Sequence, residues 1–223
     1  MPKVRIAGVI ISNDQKWIYD WFDMESFCSN DLYKEITNEY DTLDVEINSG
    51  GGSVFAGSEI YTALKNHKGT VNVSIVGLAA SAASVIAMSG KNIKMSPTAQ
   101  FMIHNVSAQG DGDYRDMQHM ADILKTANET IASAYILKTG KSKDEILAMM
   151  DKETWLTAEK AKEYGFIDEV MFTQDNTDYQ LVANITPNII PQNVIKKMVM
   201  DKQQAELDIL KLRGEIIWTE KSI

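Results

Sequence analysis

The sequence predicts an α/β fold, a parallel sheet with crossover helices, followed by a C-terminal helical appendage. Three observations predict it. Continuous β-branched runs, VRIAGVIIS at 4–12 and VNVSIV at 71–76, have the length and character of strands buried in a parallel sheet. Segments with helical spacing and cap signals alternate with those runs. The 223 residues suffice for one large domain, or one domain plus an appendage, with a core that needs no disulfide or metal.

After the first strand, a helix is expected around Asp31 to Tyr40. LDVEI at 43–47 is a short strand running into a glycine-rich turn, Asn48-Ser49-Gly50-Gly51-Gly52. Ser53 caps a helix reaching about Asn66. The strand at 71–76 meets a second glycine turn at Gly77, then a small-residue helix ending near Gly90. Two strands follow, at 92–95 and 99–104. In the longest helix, 115–138, Met117, Met120, Leu124, Ala127, Ile131 and Ala134 make one apolar face, and Gly140 stops it. Ser142 and Glu145 form a capping box for the next helix; Thr157 opens a short one that Gly165 ends. The strand FIDEV closes the domain near Val170. Domain boundaries follow: a folded domain at 1–170, a polar linker at 171–192 whose end Pro187 and Pro191 bracket, and a helical tail at 193–223, too short to fold alone.

Composition narrows the function. With 22 basic and 31 acidic residues the net charge is −9, which argues against nucleic acid as the main partner. A single cysteine, Cys28, excludes an intrachain disulfide and a cysteine zinc site. The three histidines, His67, His104 and His119, lack metal-ligand spacing, so no structural metal is expected, and the Ser-His-acid chemistry considered below requires no cofactor. The start of the chain shows no secretory h-region, and the least polar run, Val76 to Met88, is too short to span a bilayer. A cytoplasmic protein without membrane partners is expected.

Three features carry chemistry. The glycine run at 50–52 follows a strand and presents backbone N–H groups, or is a plain tight turn; it satisfies neither nucleotide-loop pattern. Ser81, in GLAASAAS, stands where a strand meets a helix, as a nucleophile held near free N–H groups or as an N-cap. His104 closes the apolar strand FMIHN, as a base or as a half-buried packing residue. With Asp151 and Glu153 downstream, all parts of a Ser-His-acid triad are present.

INSGGGSVFAG, GLAASAAS, FMIHN and ETWLTAEKAKEYGFIDEV together resemble, in order and separation, the ClpP family, the proteolytic subunit of the Clp protease. The resemblance covers about residues 4–170. It implies a ClpP/crotonase-like fold and a serine endopeptidase whose sites lie inside a homo-oligomeric ring, acting on protein or peptide substrates. It places the nucleophile on Ser81, the base on His104, the acid on Glu153 and the oxyanion donors on the N–H groups of Gly52 and Ala82. The family has Asp where this chain has Glu153, which leaves Asp151 as the alternative acid, and proline where this chain has Gly50, which should loosen the turn. The aromatic insert from Asp14 to Cys28, with Trp17, Tyr19, Trp21 and Phe22, and the tail from 171 resemble the ClpP-like proteases of phages and prophages that mature the capsid, with a capsid or scaffold protein as partner.

The alternative is a ring-forming structural or binding homologue with little or no peptidase activity. An acyl-CoA enzyme of the crotonase fold would not need Ser81 and His104 together. A Ser-Lys peptidase would draw on Lys91 or Lys94.

Overall fold

The computed structural model describes residues 2–36, 38–173 and 192–212. In chain order the elements are β1 (Lys3–Ile10), a 3-10 turn at Asn13–Gln15, α1 (Lys16–Trp21), β2 (Ser26–Phe27), α2 (Ser29–Glu35), β3 (Leu43–Gly52), α3 (Val54–Asn66), β4 (Val71–Ala80) and α4 (Ala82–Ala87). They continue as β5 (Asn92–Met95), β6 (Gln100–Ile103), α5 (Tyr114–Thr139), α6 (Lys143–Asp151), β7 (Thr154–Leu156), α7 (Ala158–Glu163), β8 (Glu169–Val170) and α8 (Gln192–Leu212). The chain divides into two units, Met1–Asp175 and Asn176–Ile223; of the second, α8 is the described part. The expected linker falls almost wholly outside the described residues, as does the end of the expected tail helix, 213–218.

The sheet runs β2-β1-β3-β4-β5-β8 with all of these pairs parallel, which requires the helical crossovers the sequence implied. β4 changes partner along its length. Asn72 to Ile75 pair with β5, whereas Leu78 to Ala80 pair with β6, which in turn pairs antiparallel with β7. Gly77 stands between the two halves, where a Cβ would come within 2.5 Å of Asn48 Oδ1. The sheet therefore splits beyond this point, and β3, β4 and β6 end together.

One face of the sheet is apolar. Val4, Ile6, Val45, Ile47, Val73, Ile75, Ile93 and Met95 are buried there with Ile60 and Leu64 of α3 and Ile86 of α4. The other face differs from the expectation of strands covered on both sides. Asn72 and Ser74 alternate with valines in VNVSIV, and a lateral ladder links Asp44, Asn72 and Asn92 by bonds of 2.9 Å each. Lys3–Glu46 and Lys94–Glu169 ion pairs, both 2.8 Å, complete this polar face.

Other differences are local. The helix expected around Asp31 to Tyr40 is α2. It starts earlier, with Cys28 at its N-cap and the Asp31 carboxylate returning to the Cys28 N–H, and ends at Ile36, which is extended. Asn38 Oδ1 accepts from the Tyr40 N–H, a side-chain turn that competes with helix. The aromatic insert folds as α1 and β2, the latter paired to β1. β3 does not stop before the glycines but runs through them, because Gly51 and Gly52 pair with Val9 and Ile10 of β1.

Candidate active site

Ser81 follows β4 and precedes α4, with φ 54° and ψ −127°, a conformation few non-glycine residues hold. Its N–H donates to Met102 O at 3.1 Å, which fixes it against β6. It occupies the N-cap position, but its side chain makes no capping bond. Instead Oγ lies 2.8 Å from His104 Nε2. The pairing Ala80↔Met102 explains the meeting: two parallel strands end at the same level, one delivering Ser81 and the other His104. The carboxyl ends of parallel strands are where open α/β sheets place their sites.

The glycine run abuts the same point. Gly51 has φ +95°, and a Cβ there would approach Ala80 O and Ser81 Cβ to 2.7 Å. Only a residue without a side chain lets β3 come this close to Ser81. Ser49 Oγ donates to Gly8 O at 2.6 Å, Gly51 N–H donates to Ser49 Oγ at 3.1 Å, and Ser53 N–H donates to Ile10 O at 2.8 Å. These bonds hold the run despite the glycine at position 50. A cavity of about 70 Å³ opens beside Ser81 and His104, with Gly52 and Ala82 on its wall and Val54, Val85, Val106 and Ile131 as its apolar lining. The larger hollow of about 910 Å³ lies over the polar sheet face and brings no nucleophile to a base.

The two carboxylates stand apart from His104. Asp151 ends α6, and its Oδ1 accepts from Asn105 Nδ2 at 2.7 Å. Glu153 sits in the turn before β7 with φ 49°, and its Oε1 accepts from Trp155 Nε1 at 3.2 Å. The antiparallel register Met102↔Trp155, Ile103↔Thr154, carried one step further, sets Glu153 opposite His104. The structure thus brings Ser81, His104, Gly52 and Ala82 to one cavity, and it aligns Glu153 with His104 without a hydrogen bond between them. His67 bonds Asp41 O at 2.7 Å in an exposed loop, and His119 lies on the outer part of α5, both far in role from this cavity. Sequence reasoning missed Ser49, which braces the glycine run, Asn105, whose Oδ1 is buried without a partner, and a buried bond of 2.8 Å between Ser84 and Tyr135.

A serine hydroxyl hydrogen-bonded to an imidazole, beside backbone at the end of a glycine strand, is the arrangement of a nucleophilic hydrolase. The comparisons narrow this class. The family described as Clp protease matches residues 17–174. The ATP-dependent Clp protease proteolytic subunit 1 of Chlamydia abortus is 35% identical over 147 residues, covering 63% of this chain and 76% of that one. The ATP-dependent Clp protease proteolytic subunit of Bacteroides fragilis is 34% identical over 142 residues, covering 63% of this chain and 69% of that one. Among solved structures, a point mutant of ClpP1 from Listeria monocytogenes superposes with a TM-score of 0.63 at 26% identity, covering 78% of this chain and 92% of that one. The chain belongs to the Clp protease family. Among the described residues, no helix is long and apolar enough to cross a membrane.

Proposed function

We propose that the protein is a serine endopeptidase that works as a homo-oligomeric ring. The observation that carries this reading is the 2.8 Å bond between Ser81 Oγ and His104 Nε2 at the ends of β4 and β6, in a chain of a protease family. His104 Nε2 takes the hydroxyl proton as Oγ attacks the peptide carbonyl. The N–H groups of Gly52 and Ala82 receive the oxyanion, each worth about 3 kcal/mol of transition-state stabilisation. The imidazolium then protonates the leaving amine, and a water, deprotonated by His104, hydrolyses the acyl-enzyme. Glu153 is the third member. Its side chain leaves Trp155 and turns to the His104 ring to hold the tautomer with Nε2 free. The apolar part of the cavity wall, Val54, Val85, Val106 and Ile131, suits a small aliphatic substrate side chain beside the scissile bond.

The uncovered apolar stripe on the first half of α5 supports assembly, since Met117 and Ile123 are 40% and 49% exposed. The insert exposes Trp17, Trp21 and Phe22, an apolar patch that a protein partner would cover, and the partner proposed for it is a viral capsid or scaffold protein. Portal and capsid genes beside this reading frame would bear that out.

Fluorophosphonate labelling tests the activity. The intact protein should be labelled on Ser81 and hydrolyse fluorogenic peptides; Ser81→Ala should lose both while its circular dichroism and oligomer mass stay the same. Hydrolysis retained by that variant overturns the assignment. The second reading, a ring-forming homologue with little or no activity, draws on one observation: neither carboxylate is hydrogen-bonded to His104. An unlabelled Ser81 in folded protein would favour it.

A further inference from the structure

Behind Ser81 lies a chain of hydroxyl groups that the triad does not include. The Ser81 carbonyl accepts from Ser84 Oγ at 2.6 Å, and Ser84 Oγ lies 2.8 Å from the Tyr135 hydroxyl on α5. Ser84 and Tyr135 are both fully buried. We infer that Ser84 and Tyr135 are positioning residues that lock the Ser81–Ala82 peptide plane and so aim the Ala82 N–H at the oxyanion. The inference rests on the reading of Ser81 as the nucleophile.

The direction of the chain follows from donor chemistry. A carbonyl only accepts, so the single Ser84 proton goes to Ser81 O. Ser84 Oγ then has lone pairs but no proton left, so Tyr135 donates to it. Burial pushes the Tyr135 hydroxyl well above the usual phenol range, which keeps it protonated and a donor. The ring that carries it is fixed edge-on to Phe166 at 5.9 Å, and Phe166 packs on Phe101 of β6 at 5.1 Å. The same aromatic stack therefore supports the strand that delivers His104.

The carbonyl matters because a trans peptide is planar. Ser81 C=O and Ala82 N–H belong to one rigid unit and point in opposite directions. Fixing one fixes the other. Ser81 holds φ 54°, where an L residue is strained, so this plane needs restraints beyond the torsional preference of Ser81 itself. The Ser84 and Val85 N–H groups also reach Ser81 O, at 3.0 and 3.2 Å, as a helix start provides. A serine bonding back to a carbonyl three residues earlier is common in helices. A buried tyrosine hydroxyl aimed at that serine from 51 residues away is not needed for packing, where phenylalanine would serve.

The test uses the full-length protein with Ser84→Ala, Tyr135→Phe and both together, read by peptide kinetics and by the rate of fluorophosphonate labelling. Ser84→Ala should lower kcat and the labelling rate about tenfold, the rate equivalent of one hydrogen bond's ~1.4 kcal/mol, with KM changed less than about twofold. Tyr135→Phe should lower kcat about threefold and leave KM alone. The double variant should match Ser84→Ala, because the two groups act in series. Folded variants with unchanged kcat, a loss confined to KM, or independent effects that multiply would overturn the relay. If Ser84→Ala fails to fold, Tyr135→Phe decides, since it removes one oxygen and keeps the ring. A wild-type Ser81 that does not label overturns the peptidase reading itself, whereas a wild type that labels alongside variants equal to it overturns the relay alone.

Discussion

Glu153 is held at φ 49° with its carboxylate on Trp155, opposite His104 across the β6–β7 register. A non-glycine residue in this left-handed region costs about 1–2 kcal/mol, and such strain gathers where function needs it. On the proposed reading, Glu153→Gln should lower kcat by about 10³-fold or more, the scale set by triad acids in serine proteases, while Asp151→Asn should cost less than about tenfold. A larger loss from the Asp151 change would assign the acid to Asp151 acting through Asn105. Glu153→Gly should separate activity from stability: kcat falls as in Glu153→Gln, but the urea midpoint stays level or rises, by up to about 1 kcal/mol of stability. A destabilised glycine variant would show that the carboxylate is structural. At this scale Ser81 and His104 were legible because each sits inside a dense motif. Ser84 and Tyr135 were not: their meeting joins the small-residue helix α4 to the far end of α5, and neither segment carries a pattern that points to the other.

Strand β3 shows why a local reading of elements failed where it did. Five residues, Asn48 to Gly52, read as a turn because three are glycine. Their partners on β1 are more than 40 residues away in sequence. Tertiary pairing makes them strand, and the absence of Cβ atoms lets that strand pass against Ser81. Gly51→Ala places a methyl group 2.7 Å from Ala80 O in a backbone at φ +95°. The variant should lose more than about 2 kcal/mol of stability and nearly all labelling of Ser81. Thermal unfolding and fluorophosphonate labelling check this; near-normal values would mean that the run yields easily. The capped helices were legible for the opposite reason, since their signals are local: Ser53, Ser142 and Thr157 each accept the N–H bond their position predicts. The insert's α1 spans six residues without a capping side chain and gave no such signal.

For the whole molecule, α5 carries the argument about assembly. Its apolar face was legible from spacing alone, but where the face is covered was not. Ile131, Ala132, Ala134 and Tyr135, in the second half, are buried in the core. Met117 and Ile123, in the first half, stay exposed beside an apolar groove of about 570 Å³ that runs between α3 and α5 past Phe55, itself 89% exposed. A helix face that repeats apolar residues with no core beneath it is stabilised by a partner or is a liability. A second copy of the chain is the occupant that the ring reading supplies. Light scattering on the intact protein should therefore give a mass several times the 24.9 kDa of one chain. Ile123→Asp should move that mass toward the monomer while far-UV circular dichroism holds, because Ile123 is half exposed on the groove wall and outside the buried core. Removing residues 174–223 should leave the first unit folded and Ser81 reactive, since β8 already pairs with β5 and the Met171 N–H closes onto Met95 O at 2.8 Å. Insoluble or unlabelled truncated protein would show that the tail belongs to the core. An unchanged assembly in Ile123→Asp would move the contact away from α5.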